Sequence, residues 1–150
     1  MHRFCLTVGL VFALVSCRES TEPGTVVYDL DAILVGVRVA PGTITAGASA
    51  NVSVTLKNTL ASPVEISSCP IYFWVQGSGG QIVGGSNAIG CLAGAFVYMP
   101  LKFRPFETKT MQFEWQETQN VAAGVYDVFA WVNDPQRAST PVRITVLSAN

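Results

Sequence analysis

Four cysteines, one histidine and ten carboxylates are the side chains that any chemistry in this 150-residue chain would have to use. The histidine is His2, next to Arg3 and just before an apolar run from Phe4 to Val15. That charged start and short greasy stretch fit a secretory leader, whereas a membrane span would need roughly 18 or more apolar residues. Loss of residues 1–16 takes the single imidazole with it, and with the imidazole go Ser-His-Asp and Cys-His nucleophilic catalysis. Carboxylate pairs remain as acid and base, Glu114 with Glu117 or Asp29 with Asp31. Glu114, however, falls on the polar side of an alternating run, and the two aspartates stand close to the N-terminal spacer. Asp31, Asp127, Asn133 and Asp134 lack the alternating Asp/Asn spacing of a calcium loop and read as solvated turns. The expectation is a protein that is not an enzyme and carries neither metal nor cofactor.

The cysteines sort by position. Leu14-Val15-Ser16-Cys17 resembles the bacterial lipobox, in which the thiol takes a diacylglycerol and the chain is cut just before it. This implies acylation of Cys17; the alternative is an ordinary secretory site that happens to contain a cysteine. Each buried methylene contributes about 0.8 kcal/mol, so two or more acyl chains anchor a protein stably. Arg18 and Glu19 follow, with no Asp next to the cysteine, which by resemblance to the sorting rule of diderm bacteria favours the outer membrane. Cys5 leaves with the leader, and Cys69 and Cys91 are left together in an oxidising compartment, where they are expected to bond. Such a bond closes about 20 residues and stabilises by roughly 3 kcal/mol through loop-closure entropy. It would pin the glycine-rich run GGSNAIG. A redox role has no Cys-x-x-Cys spacing to support it, and two cysteines without histidine fall short of the usual zinc ligand set.

The chain without its leader keeps eight basic against ten acidic side chains. A nearly neutral protein with so few Lys and Arg has no electrostatic footprint for nucleic acid. The expected organisation is a signal peptide over 1–16, a lipidated cysteine with flexible tether over 17–30, and one domain over 31–150.

The elements that would position a site are short runs of period-two alternation broken by turn residues, the pattern of an all-β sandwich. Ile33–Val39, Ala50–Asn58, Val64–Ile66, Ile71–Gln76, Glu107–Gln116, Gly124–Val132 and Pro141–Leu147 make about seven strands. Their number and spacing match an immunoglobulin-like sandwich. Val52, Val54 and Leu56 share one face, as do Met111, Phe113 and Trp115. Tyr126, two residues after Gly124, stands where such sandwiches place a tyrosine whose hydroxyl caps a preceding corner. Trp74 occupies the strand on which many of them bury a tryptophan, although with Tyr72 and Phe73 beside it either face of that strand fits. Tyr126, Trp74 and Trp115 are taken as structural.

The stretch from about Asn51 to Val132 resembles the BsuPI family of immunoglobulin-like domains, named after an intracellular proteinase inhibitor of Bacillus. The matching segments are VTLKN followed by PVEI, IYFWVQ with its Gly-Gly turn, RPFETKTMQFEW, and AAGVYDVFAW. Phe106 departs from the pattern, since that family usually has glycine in its Pro-Gly-Glu-Thr turn. The resemblance implies the fold, and it suggests protease inhibition without supplying an inhibitory residue.

If Tyr126, Val128, Ala130 and Val132 point inward, Phe129 and Trp131 point outward. With Tyr72 or Phe73 from a nearby strand they form a candidate binding surface, unless the long connection from Ile82 to Phe106 lies over it. Two functions follow for a protein attached to the membrane at Cys17. One is an envelope binding module for a protein or another ligand; the other is a proteinase inhibitor acting through the disulfide-pinned segment 84–100. The first expects uniform inactivity against a panel of serine proteases. Inhibition abolished by Cys91→Ser would instead mark the second.

Overall fold

The computed structural model describes residues 29–66, 71–86, 100–116, 121–132 and 137–149. Cys17, Cys69, Cys91 and most of segment 84–100 lie outside them. Ten strands run through the described residues: β1 Ile33–Ala40, β2 Thr43–Thr45, β3 Ala50–Asn58, β4 Val64–Ile66, β5 Ile71–Gln76, β6 Ile82–Ser86, β7 Leu101–Phe103, β8 Thr108–Trp115, β9 Gly124–Val132 and β10 Val142–Leu147. The count exceeds the expected seven by β2, β6 and β7. Three-residue strands such as β2 and β7 are too short to show a period, and β6 carries Gly84 and Gly85 in place of alternating side chains.

A three-stranded sheet β1-β3-β8 faces a five-stranded sheet β2-β10-β9-β5-β6, with β4 and β7 pairing as a separate ribbon. This is an immunoglobulin-like β-sandwich. The first long run divides between the sheets: β1 pairs antiparallel with β3, and after the cis peptide at Ala40-Pro41 the chain crosses so that β2 lies parallel to β10. Proline has no N–H to contribute to a ladder, so the crossing falls where a strand must end.

The core fills from the inner faces. Val52, Val54 and Leu56 of β3 and Phe113 and Trp115 of β8 meet Phe73 and Val75 of β5, Tyr126, Val128 and Ala130 of β9, and Ile144 and Val146 of β10. Phe73 and Phe113 touch across the two sheets with ring centroids 5.4 Å apart. The Tyr126 hydroxyl donates to the Ala122 carbonyl at 2.6 Å, closing the corner before β9.

One buried polar side chain organises an end of the sandwich. Asn58, the last residue of β3, is 0% exposed. Its amide donates to the carbonyls of Ser62 at 2.8 Å and Arg104 at 2.9 Å, and its side-chain oxygen accepts from the Leu60 N–H at 2.9 Å. Two loops distant in sequence are tied to one side chain, because a buried amide left without partners is costly. Replacement Asn58→Ala is expected to destabilise the domain by roughly 3 kcal/mol, read as a lower urea midpoint with unchanged slope.

Candidate binding surface

Antiparallel register decides which aromatic residues share a face. Val75 lies opposite Val128 and Phe73 opposite Ala130, both members of the inward set of β9. Phe73 therefore belongs to the core and is not part of the surface expected to include it. Trp74 pairs with Phe129 and Tyr72 with Trp131, so these four rings stand together on the outer face of the five-stranded sheet. Trp74, whose face the sequence leaves open, is thus on the outer side of β5. The alternation of β5 leaves this open because aromatic residues occupy both of its faces.

The four rings form one cluster around Trp131. Tyr72 stacks on it with centroids 5.1 Å apart, Trp74 meets it edge-on at 4.0 Å, and Phe129 lies tilted at 6.0 Å. Trp74 and Phe129 also meet edge-on, at 5.7 Å. Trp131 is only 3% exposed, whereas Tyr72, Trp74 and Phe129 are half-buried. An outward-pointing residue has become the buried support of the other three, and they form the accessible part. Such pairs contribute about 0.5–1.5 kcal/mol each beyond the area they bury.

Two glycines of β6 make room for this arrangement. A Cβ on Gly85 would stand 2.5 Å from the Phe73 carbonyl oxygen and 3.0 Å from the Trp74 ring. A Cβ on Gly84 would stand 2.4 Å from Nε1 of Trp115, on the inner face. Consecutive glycines thus admit one tryptophan on each side of the sheet. In the sequence they read as part of a loose glycine-rich segment; the signal that reveals them is glycine opposite tryptophan across a strand pair.

The rest of the outer face continues apolar. Val125 and Leu147 are exposed there, and Ile82 lies exposed opposite Gln76. Asp127 and Arg143 form its charged row, with Nε of Arg143 3.8 Å from the carboxylate. Of the residues considered for calcium, Asp127 thereby faces an arginine and Asp31 is paired with Arg137, while Asn133 and Asp134 lie outside the described residues. Glu114, considered as an acid or base, is fully exposed; a hydrogen bond from Gln116, then one from Ser49, hold its carboxyl below the usual range, so it stays ionised near neutrality. Of the connection that could cover the face, residues 87–99 lie outside the described residues; at its far end Phe103 is buried in the core, opposite Val64 of β4, and Phe106 is exposed on a turn.

Two grooves lie elsewhere. One of about 350 Å³ crosses β1 at Gly36 and reaches Pro141 and Val142. The other, about 500 Å³, is lined by Pro63, Lys102, Phe103, Arg104, Glu107 and Lys109.

No family model matches the chain, and no curated protein matches it either. Solved structures do. A β-glucosidase from Erythrobacter marinus is 16% identical with a TM-score of 0.54, over 77% of this chain and 15% of the enzyme. An alkylpurine DNA glycosylase from Pseudomonas fluorescens, bound to DNA containing an abasic-site analogue, is 16% identical with a TM-score of 0.51, over 77% of this chain and 30% of the enzyme. A CARDB domain from Pyrococcus furiosus, in complex with di-metal ions, is 14% identical with a TM-score of 0.48, over 78% of this chain and 94% of that one. The chain spans a minor part of either enzyme, and what it shares with them is the fold.

Trp131→Ala is expected to cost about 3–5 kcal/mol, as removal of a buried ring does, and Gly84→Ala about 1–3 kcal/mol by overpacking against Trp115. Phe129→Ala is expected to cost less than either. Thermal unfolding of the three variants checks the order.

Proposed function

We propose that this chain is a non-catalytic binding module of the bacterial cell envelope, held to a membrane by acyl chains on Cys17, and that it seats a partner protein on the outer face of its five-stranded sheet. The observation that carries the reading is the half-exposed ring set of Tyr72, Trp74 and Phe129 around buried Trp131. Rings already locked by their neighbours lose little freedom when a partner covers them. Aromatic residues in preorganised clusters are the side chains that most often dominate interface energies. Val125, Ile82 and Leu147 enlarge the apolar area, while Asp127 beside Arg143 leaves the face without net charge. The lipobox at 14–17 supports the envelope address, and in a diderm host the residues after Cys17 direct it to the outer membrane.

A photo-crosslinking amino acid at position 129 tests the reading. It is expected to capture a discrete envelope protein that the same group at exposed Leu34, on the other sheet, does not capture. Identical capture from both positions, or capture of glycan alone, would refute it.

A further inference from the structure

The turn from Arg104 to Glu107 holds a side chain that the fold does not need. Glu107 N–H donates to the Arg104 carbonyl at 3.1 Å, Pro105 takes the second position, and Phe106 in the third has φ +57°. Proline followed by a positive φ defines a type II turn, whose third position favours glycine or asparagine. A bulky aromatic there is an outlier that costs backbone strain. Core packing does not offset it, because Phe106 is 58% exposed.

The turn is nevertheless held by several hydrogen bonds. Phe106 N–H donates to the Leu60 carbonyl at 3.1 Å, Arg104 N–H to the Glu107 carboxylate at 2.6 Å, and Asn58 grips the Arg104 carbonyl. Its surroundings are basic. The groove beside it holds Lys102, Arg104 and Lys109 against Glu107, and Lys57 is exposed opposite Thr108. Lys102 pairs with Glu65 and Lys109 with Glu107, while the Arg104 guanidinium has no ion-pair partner among the described residues. The turn also lies at the end of the sandwich where the chain enters. Ile33 is opposite Asn58, and Thr59 N–H donates to the Ala32 carbonyl.

We infer that Phe106, flanked by Arg104, Lys102 and Lys57, is a membrane-surface contact that inserts its ring among anionic lipid headgroups. The inference rests on the reading of Cys17 as lipidated, since a tether entering at Ala32 brings this end of the domain down to the bilayer. An exposed aromatic ring beside cationic side chains is the combination that binds an anionic interface. A contact at Phe106 added to the acyl anchor fixes which way the aromatic sheet faces.

The test uses full-length protein taken from membranes. Its mass is read first for acyl chains on Cys17. It is then reconstituted into vesicles of phosphatidylcholine alone or mixed with phosphatidylglycerol, both carrying brominated acyl chains. The added indole of Phe106→Trp is expected to be quenched beyond the wild-type level in the mixture, with the surface-bound population falling about fivefold on Arg104→Gln. Phe106→Gly is expected to melt higher than wild type, because glycine relieves the turn. An acylated protein without excess quenching overturns the contact and leaves the anchor standing, as it would if a protein partner held the ring. Absence of acyl mass overturns the anchor and this orientation with it. A Phe106→Gly chain that melts lower makes the ring a packing residue and overturns the inference as well.

Discussion

The two sheets are joined at their centre by apolar contact. Val54 and Val128 stand at the middle of β3 and β9, where antibody domains carry the inter-sheet disulfide, and both are fully buried. Phe73, Phe113 and Trp115 supply most of the ring volume between them. Trp115 reaches its place because Gly84 has no side chain. Gly85 admits Trp74 on the opposite surface. The interior and the outer aromatic cluster are thus linked through two adjacent glycines.

Much of this was legible in the sequence wherever one face was apolar and the other polar. β3, β8 and β10 alternate cleanly, and their inward residues are the ones the pattern names. The corner tyrosine was legible for the same reason, its offset from Gly124 being a local property. β5 was not, because Tyr72, Phe73 and Trp74 satisfy either face, and its orientation follows from the register it adopts against β9. The pairing of β4 with β7 joins residues about forty positions apart in three-residue strands, too short to leave a period.

The candidate surface was half legible. Phe129 and Trp131 fall on the outward side of β9 by alternation alone, but alternation gives direction and not exposure. Trp131 is buried because rings from β5 close around it, a fact of cross-strand geometry. Phe106 was visible in the sequence as an aromatic in a proline turn. What the sequence left out was its left-handed backbone and the hydrogen bonds to Asn58 and Leu60, at the end of β3, that hold the turn in place.

The parallel pairing of β2 with β10 bears on how such a domain resists force. Thr43, Ile44 and Thr45 lie beside Thr145, Val146 and Leu147, and hydrogen bonds from Thr145 to Gly42 and from Ala46 to Leu147 extend the ladder at both ends. Tension applied before Asp29 and after Leu147 would draw these two strands past each other along their length. Their hydrogen bonds would then share the load at once instead of opening one after another. The crossing at Pro41 therefore gives the sandwich a mechanical clamp, placed between its point of entry and its last strand.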